Sequence, residues 1–263
     1  MTFTRFYTFL VLLFLCLPVT AQDFPYQLDW KKDAIILGAG GALSGYAHFR
    51  ESKLEGLTSE QLSVLNVNNV NWFDRGATRQ HNDGFRRTSD KLLNASILTP
   101  GLLLFGEAPR SKPLTLFVMM GETFLVTEGL TKMGKVLVRR NRPLTYNPDF
   151  SLGEQMSENA RQSFPSGHTS VTAGMSFFTA KVFHDLYPDS KLRPYVWAGA
   201  AILPAVTGYS RYRAGKHFPT DIIVGYALGA TVGVLIPELH KSLGERGLGV
   251  EVTGDGLGLV WRW

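Results

Sequence analysis

Three short groups of residues between Lys135 and Asp221 carry the chemistry this sequence can do. The first is Lys135, separated by six residues from Arg142-Pro143, inside the basic run Lys135-Val-Leu-Val-Arg139-Arg140-Asn-Arg142-Pro143. The second is Pro165-Ser166-Gly167-His168, and the third is Ser210-Arg211, five residues, His217, three residues, Asp221. A phosphoryl group in transfer spreads negative charge over its equatorial oxygens, so its site needs fixed donors and positive charge more than covalent machinery. Lys135, Arg142 and Arg211 supply that charge. The arginines offer planar forks that meet two oxygens at once, and the lysine acts as a compact point charge.

Pro165-Ser166-Gly167-His168 precedes the apolar run Val171 to Phe178, where a helix is expected to start. A helix N-terminus presents free N–H groups, so Ser166 and Gly167 are expected to donate to phosphate oxygens, with His168 facing the same anion. His217 and Asp221 are four apart, with Pro219 marking a first helical turn, so the carboxylate is expected to fold back on the imidazole. A carboxylate on one ring nitrogen fixes the tautomer and leaves the other free to attack phosphorus. This makes His217 the nucleophile, Asp221 its orienter and His168 the general acid that later activates water.

The three groups match every fixed position of Lys-x6-Arg-Pro, Pro-Ser-Gly-His and Ser-Arg-x5-His-x3-Asp. In this the sequence resembles the type 2 phosphatidic acid phosphatase (PAP2) superfamily, which also includes bacterial acid phosphatases and vanadium-dependent haloperoxidases. The resemblance covers about Leu92 to Leu239. It implies an all-α helical bundle, phosphate hydrolysis without metal or cofactor, and a phosphohistidine at His217.

The rest of the chain must position these groups. At 263 residues it is long enough for one buried core. Arg5, the apolar run Phe6 to Leu17 and the small residues up to Ala21 read as a signal peptide or signal anchor over 1-21. The one cysteine, Cys16, falls inside it, which excludes thiol and cysteine-zinc catalysis in a processed chain. An N-terminal arm over 22-91 contains one apolar helix, Ala34 to Phe49, expected to pack on the bundle or insert partly. The polar stretch Glu51 to Asp90 is expected to be extramembrane, with His81 and Asp83 in a solvated loop.

Five apolar stretches then follow over 92-239: Leu92 to Phe105, Leu114 to Val126, Thr169 to Phe183, Tyr195 to Tyr209 and Ile222 to Ile236. Short apolar helices with tight connections argue for a bundle. Arg110, Lys112, Lys191 and Arg193 fall in connections on one side of it, with the three motifs on the other, so the positive-inside pattern turns the motifs away from the cytoplasm. That parity holds only if Ala34 to Phe49 does not fully cross. A water-soluble bundle is the rival reading, because the mean hydropathy is close to zero.

The loop Asn147 to Gln162 is expected to rim the pocket. Lys216 and Arg213 either extend the anion clamp or form a solvated basic face. The tail over 240-263 alternates apolar and small residues around Thr253-Gly-Asp-Gly256, a pattern suited to a β-hairpin. The net charge of +5 does not point to nucleic acid, because the cations gather in the phosphate motifs and the inner loops.

The sequence thus predicts a membrane-embedded phosphatase of a bacterial envelope. It would act on a lipid phosphate or diphosphate in the inner membrane, with its site facing the periplasm. The alternatives are a soluble periplasmic acid phosphatase, a vanadium-dependent haloperoxidase, and a catalytically silent scaffold. The sequence says nothing of the oligomeric state.

Overall fold

The computed structural model describes residues 24–241, 247–253 and 256–262. The expected signal segment and Cys16 lie outside them. Six long helices dominate the described residues: α1 (Trp30–Glu51), α2 (Asp83–Leu98), α3 (Pro113–Val138), α4 (Gly167–Leu186), α5 (Arg193–Arg213) and α6 (Pro219–His240). In the tail, β1 (Gly247–Thr253) pairs antiparallel with β2 (Gly256–Arg262).

Helix α4 is the axis of the bundle, with 15 of its 20 residues buried. Its sequence explains why: Ser, Thr, Ala and Gly fill its first half and let neighbouring backbones close in. Its hydroxyls also cross to those neighbours, Ser170 to Thr131 of α3 at 2.7 Å and Ser176 to the Ala200 carbonyl of α5 at 3.0 Å. Helix α6 meets α4 along a stripe of Gly225, Gly229 and Gly233. A Cβ on Gly229 would stand 1.9 Å from the Ser170 carbonyl oxygen, and one on Gly225 2.6 Å from that of Ser166. Only glycine permits this approach, and it brings the start of α6 onto the start of α4. The larger apolar side chains, among them Leu103, Leu116, Met119, Phe178, Phe183 and Ile236, fill the other half of the bundle.

The helices alternate in direction. The end of α3, the start of α4, the end of α5 and the start of α6 share one end of the bundle, which is where the three motifs sit. At the far end Tyr26 bridges to Lys241, and Lys241 pairs with Asp185 at 3.3 Å and Glu238 at 3.2 Å.

One stretch departs from expectation. The stretch Leu92 to Phe105 is not one helix. Helix α2 starts at Asp83, capped by the Asn82 side chain on the Phe85 amide at 3.1 Å, and gives way to a 3₁₀ segment, Thr99–Phe105, where Pro100 removes a backbone donor. It therefore runs unbroken past residue 91, the expected end of the arm. Helix α1, expected to pack or insert partly, lies along α3 over its length, from Asp33 beside Glu122 to Glu51 beside Lys132 at 3.3 Å. Small residues permit this: a Cβ on Gly40 would lie 3.2 Å from Val126, and one on Gly129 3.1 Å from the Ser44 amide.

The outer faces of α1, α3, α5 and α6 expose Ile35, Phe117, Leu130, Ile202, Val206, Ile223 and Leu235. Pro113–Tyr146 and Pro219–His240 are long and apolar enough to cross a membrane.

Candidate active site

Each motif is delivered by a helix end. Helix α3 stops at Val138 because Arg139 takes a left-handed conformation, φ 48°, which turns Arg140 and Arg142 back over the bundle end. Gly134, beside Lys135, touches the second motif so closely that a Cβ there would sit 2.6 Å from Pro165 Cδ. A Cβ built on Gly167 would lie 3.5 Å from Lys135 Nζ, so the ammonium hangs over the first turn of α4. The free amides of that turn, beginning with Gly167 and His168, point the same way as the helix dipole.

Ser166 departs from its expected role. Its backbone N–H donates to the Asp221 carbonyl at 3.0 Å, and its hydroxyl shares a hydrogen bond with Thr169 at 2.9 Å. It stitches α4 to α6, leaving Gly167 as the first amide free for an anion.

Arg142 and Arg211 are both buried, at 5% and 6% exposure, and the Nε of each has no hydrogen-bond partner among the described residues. Arg142 donates only a long bond to the Lys216 carbonyl, at 3.4 Å, and Arg211 donates to Ser89 Oγ at 3.2 Å. Buried guanidinium donors without acceptors are costly unless an anion completes them.

His217 is 1% exposed. Its Nδ1 lies 2.7 Å from the Ser163 carbonyl oxygen, which can only accept, so Nδ1 carries the proton and Nε2 keeps its lone pair. Burial, then the Arg142, Arg211 and Lys135 cations, hold its pKa well below the ordinary imidazole value, so the ring is neutral.

The expected direct bond from Asp221 is absent: Oδ2 stands 3.7 Å from Nδ1. The carboxylate instead accepts from Ser163 Oγ at 2.6 Å, the Phe218 amide at 2.9 Å and Arg140 at 2.5 Å. The backbone carbonyl of Ser163 is closer to the ring, and Arg140 draws the carboxylate toward itself. Arg140 in turn donates to Asp74 at 2.7 Å and lies over the Phe218 ring at 4.2 Å. Burial alone would raise the Asp74 carboxyl, but the bonds from Thr220 and Arg140 outweigh it and hold it below the usual range.

His168 is paired from an unexpected direction. Its Nε2 donates to Asp90 of α2 at 2.8 Å, and Asp90 also stands 3.5 Å from Arg211. The structure therefore brings together Lys135, Arg142, Gly167, His168, Arg211, His217 and Asp221, and adds Asp90, Ser163, Arg140 and Asp74. Arg140 sat in the basic run already noted, but nothing in its spacing distinguished it from Arg139. No sequence signal marked Asp90 or Ser163.

Lys216 is held by Glu154 at 3.4 Å and lies over the Phe150 ring at 4.9 Å, and Arg213 stacks on Phe85 at 5.0 Å. Glu154 and Phe150 belong to the loop expected to rim the site. His81 packs against Phe150 at 4.1 Å, and Asp83 pairs with Arg86 at 2.9 Å.

The chain is 28% identical over 150 residues to a lipid A 4'-phosphatase of Porphyromonas gingivalis, covering 56% of this chain and 60% of that protein. It is 27% identical over 135 residues to a decaprenylphosphoryl-5-phosphoribose phosphatase of Mycobacterium tuberculosis, covering 51% and 67%. Among solved structures it is similar, at 21% identity and a TM-score of 0.44, to the transmembrane PAP2 type phosphatidylglycerolphosphate phosphatase of Bacillus subtilis, over 89% of this chain and 92% of that one. The family model of the PAP2 superfamily matches residues 113–244, half of the chain and all three motifs, and the chain belongs to that superfamily.

Proposed function

We propose that the protein is a phosphohydrolase that removes phosphate from a lipid phosphate or diphosphate of the undecaprenyl diphosphate, phosphatidylglycerol phosphate, phosphatidic acid or lipid A type. One observation carries this reading: a neutral His217 with its Nε2 lone pair free, beside two buried arginines whose Nε donors lack partners.

Lys135, Arg142, Arg211 and the first amides of α4 bind the phosphate oxygens and gain strength as charge builds on them. His217 Nε2 attacks phosphorus as the bond to the leaving oxygen breaks, and His168, held by Asp90 and charged once the bound phosphate dianion offsets Arg211 and Arg142, gives that oxygen its proton. Water then attacks the phosphohistidine. Its proton passes to His168, the P–N bond breaks, and phosphate leaves with His217 restored. No step calls for a metal.

The lipid preference rests on the outer faces of the helices. Apolar side chains line them, and the site lies at the bundle end, so a head group bound there can keep its chains in the bilayer. The names of the relatives point to the same substrate class. The inner membrane of a bacterial envelope, with the site on the periplasmic side, fits the loop charges.

The test is phosphate release by detergent-extracted protein in the presence of chelator, comparing a long-chain lipid diphosphate with a small soluble phosphomonoester and using His217→Ala as the blank. Preference for the lipid is expected. Preference for the soluble ester would replace this reading with that of a general acid phosphatase.

A further inference from the structure

A second titratable cluster lies at the end of the bundle away from the phosphate site. Asp33 of α1, Glu122 of α3 and His240 of α6 are all buried, with their ligand atoms within 4.8 Å of one another. His240 Nδ1 is 2.8 Å from the Ile236 carbonyl oxygen, so that nitrogen donates. In the neutral ring this leaves Nε2 as a lone pair, aimed at Asp33 Oδ1 at 3.0 Å and standing 3.1 Å from Glu122 Oε2. Three electron-rich atoms so placed repel one another unless a positive charge lies among them.

Glu122 is fully buried, and neither of its oxygens has a hydrogen-bond partner among the described residues. Lys32 lies within electrostatic reach of Asp33 and Glu122, but its ammonium donates to the Leu239 carbonyl at 2.6 Å and gives no hydrogen bond to either carboxylate. Protonating His240 would supply one Nε2 proton, which Asp33 is placed to take, and would leave Glu122 without a donor. A divalent cation on a neutral imidazole and two carboxylates balances the charge.

We propose that Asp33, Glu122 and His240 bind a divalent cation of the zinc class. The donor set, one imidazole and two carboxylates, suits such an ion, and the His240 Nδ1 bond to a backbone carbonyl is the usual second contact of a ligating histidine. Ligands on a tetrahedral zinc stand roughly 3.3 Å apart for bonds of 2.0–2.1 Å, close to the 3.0 and 3.1 Å seen from Nε2. The role is structural. Only Asp33, Gly40 and Ala47 of α1 are buried, so a metal on Asp33 would pin that helix to α3 and α6 far from the catalytic histidine.

Zinc in the full-length protein, purified in detergent without chelator, can be counted by mass spectrometry after denaturation. One equivalent per chain is expected, kept in His217→Ala and lost in Glu122→Gln and His240→Gln. Chelation of the wild type should lower its unfolding midpoint by roughly 5 °C, and added zinc should restore it; this second reading stands even if the variants do not fold. Substoichiometric zinc with no midpoint shift on adding it would overturn the site in favour of an imidazolium-centred network. Zinc retained in both variants would place the ion elsewhere.

Discussion

Ser163 joins His217 to Asp221: its carbonyl accepts from His217 Nδ1 at 2.7 Å, and its hydroxyl donates to Asp221 Oδ2 at 2.6 Å. Asp221 itself stands 3.7 Å from the imidazole. The carboxylate therefore positions His217 through the loop it ties down, and Arg140 anchors it from the other side.

This arrangement predicts that activity and stability fall together on Asp221→Ala. The change leaves Arg140 without one of its two carboxylates and frees the Ser163 hydroxyl, at a cost of about 3 kcal/mol. A calorimetric midpoint that stayed at the wild-type value while phosphate release fell would instead point to a direct histidine–carboxylate dyad.

The pairing of His168 with Asp90 makes a graded prediction. His168→Ala should lower release from alkyl phosphates by about 10²-fold or more while sparing activated aryl phosphates. Asp90→Asn should show the same pattern more weakly, since the imidazole remains. Equal losses on both substrates would contradict the general-acid assignment.

The motifs were legible because phosphate chemistry dictates residue types at fixed offsets, and the bundle because apolar runs of helical length recur. What supports the motifs was not. Asp90 reaches His168 only because Asn82 starts α2 earlier than the polar composition around it suggests. The Ser163 carbonyl is backbone, invisible to any residue pattern. Whether Asp221 bonds the ring or the loop depends on distances that i,i+4 spacing leaves open. The line of α1 along α3 depends on which glycines face each other, and periodicity in a Gly- and Ala-rich run does not show that.

The pKa of His217 carries a stability signature. A histidine whose folded value lies below its unfolded one stabilises the fold fully above the unfolded value, and that contribution is lost as the pH falls. Between about pH 6.5 and pH 5 the wild type should lose up to roughly 1.4 kcal/mol per pH unit from this group. Melting curves of His217→Ala should be flatter over that window. Parallel curves for the two proteins would mean that His217 is not buried as a neutral ring.

The glycine stripe of α6 predicts an asymmetric pair of substitutions. Gly229→Ala drives a methyl into the Ser170 carbonyl, where a Cβ would stand at 1.9 Å. It should destabilise by about 1–3 kcal/mol and reduce activity by shifting the start of α6 against α4. Gly121→Ala, in the interior of α3 with nothing within 4 Å, should stabilise by roughly 0.5–1 kcal/mol with activity unchanged. Equal effects from both would show that close approach of α4 and α6 does not set the site.

The alternating helix directions tie the face of the site to the start of α1. Trp30 and His240 stand at the same end of the bundle, and the connections there carry Arg110, Lys112, Lys191 and Arg193. If that end faces the cytoplasm, the side the basic connections favour, and α1 crosses, then α1 enters from inside and the motifs lie outside. A chain cut after Ala21 and translocated would enter α1 from the outer side and, with all six helices crossing, carry the site to the cytoplasm. Reporter fusions at Arg110 and Asp149, with the mass of the mature protein, decide between these. An intracellular Arg110, an extracytoplasmic Asp149 and an uncut N-terminus whose first apolar run does not cross the bilayer are expected. A cut chain with Asp149 outside would mean that α1 lies along α3 without traversing the bilayer, and the bundle would then sit in the membrane less deeply than its helix lengths allow.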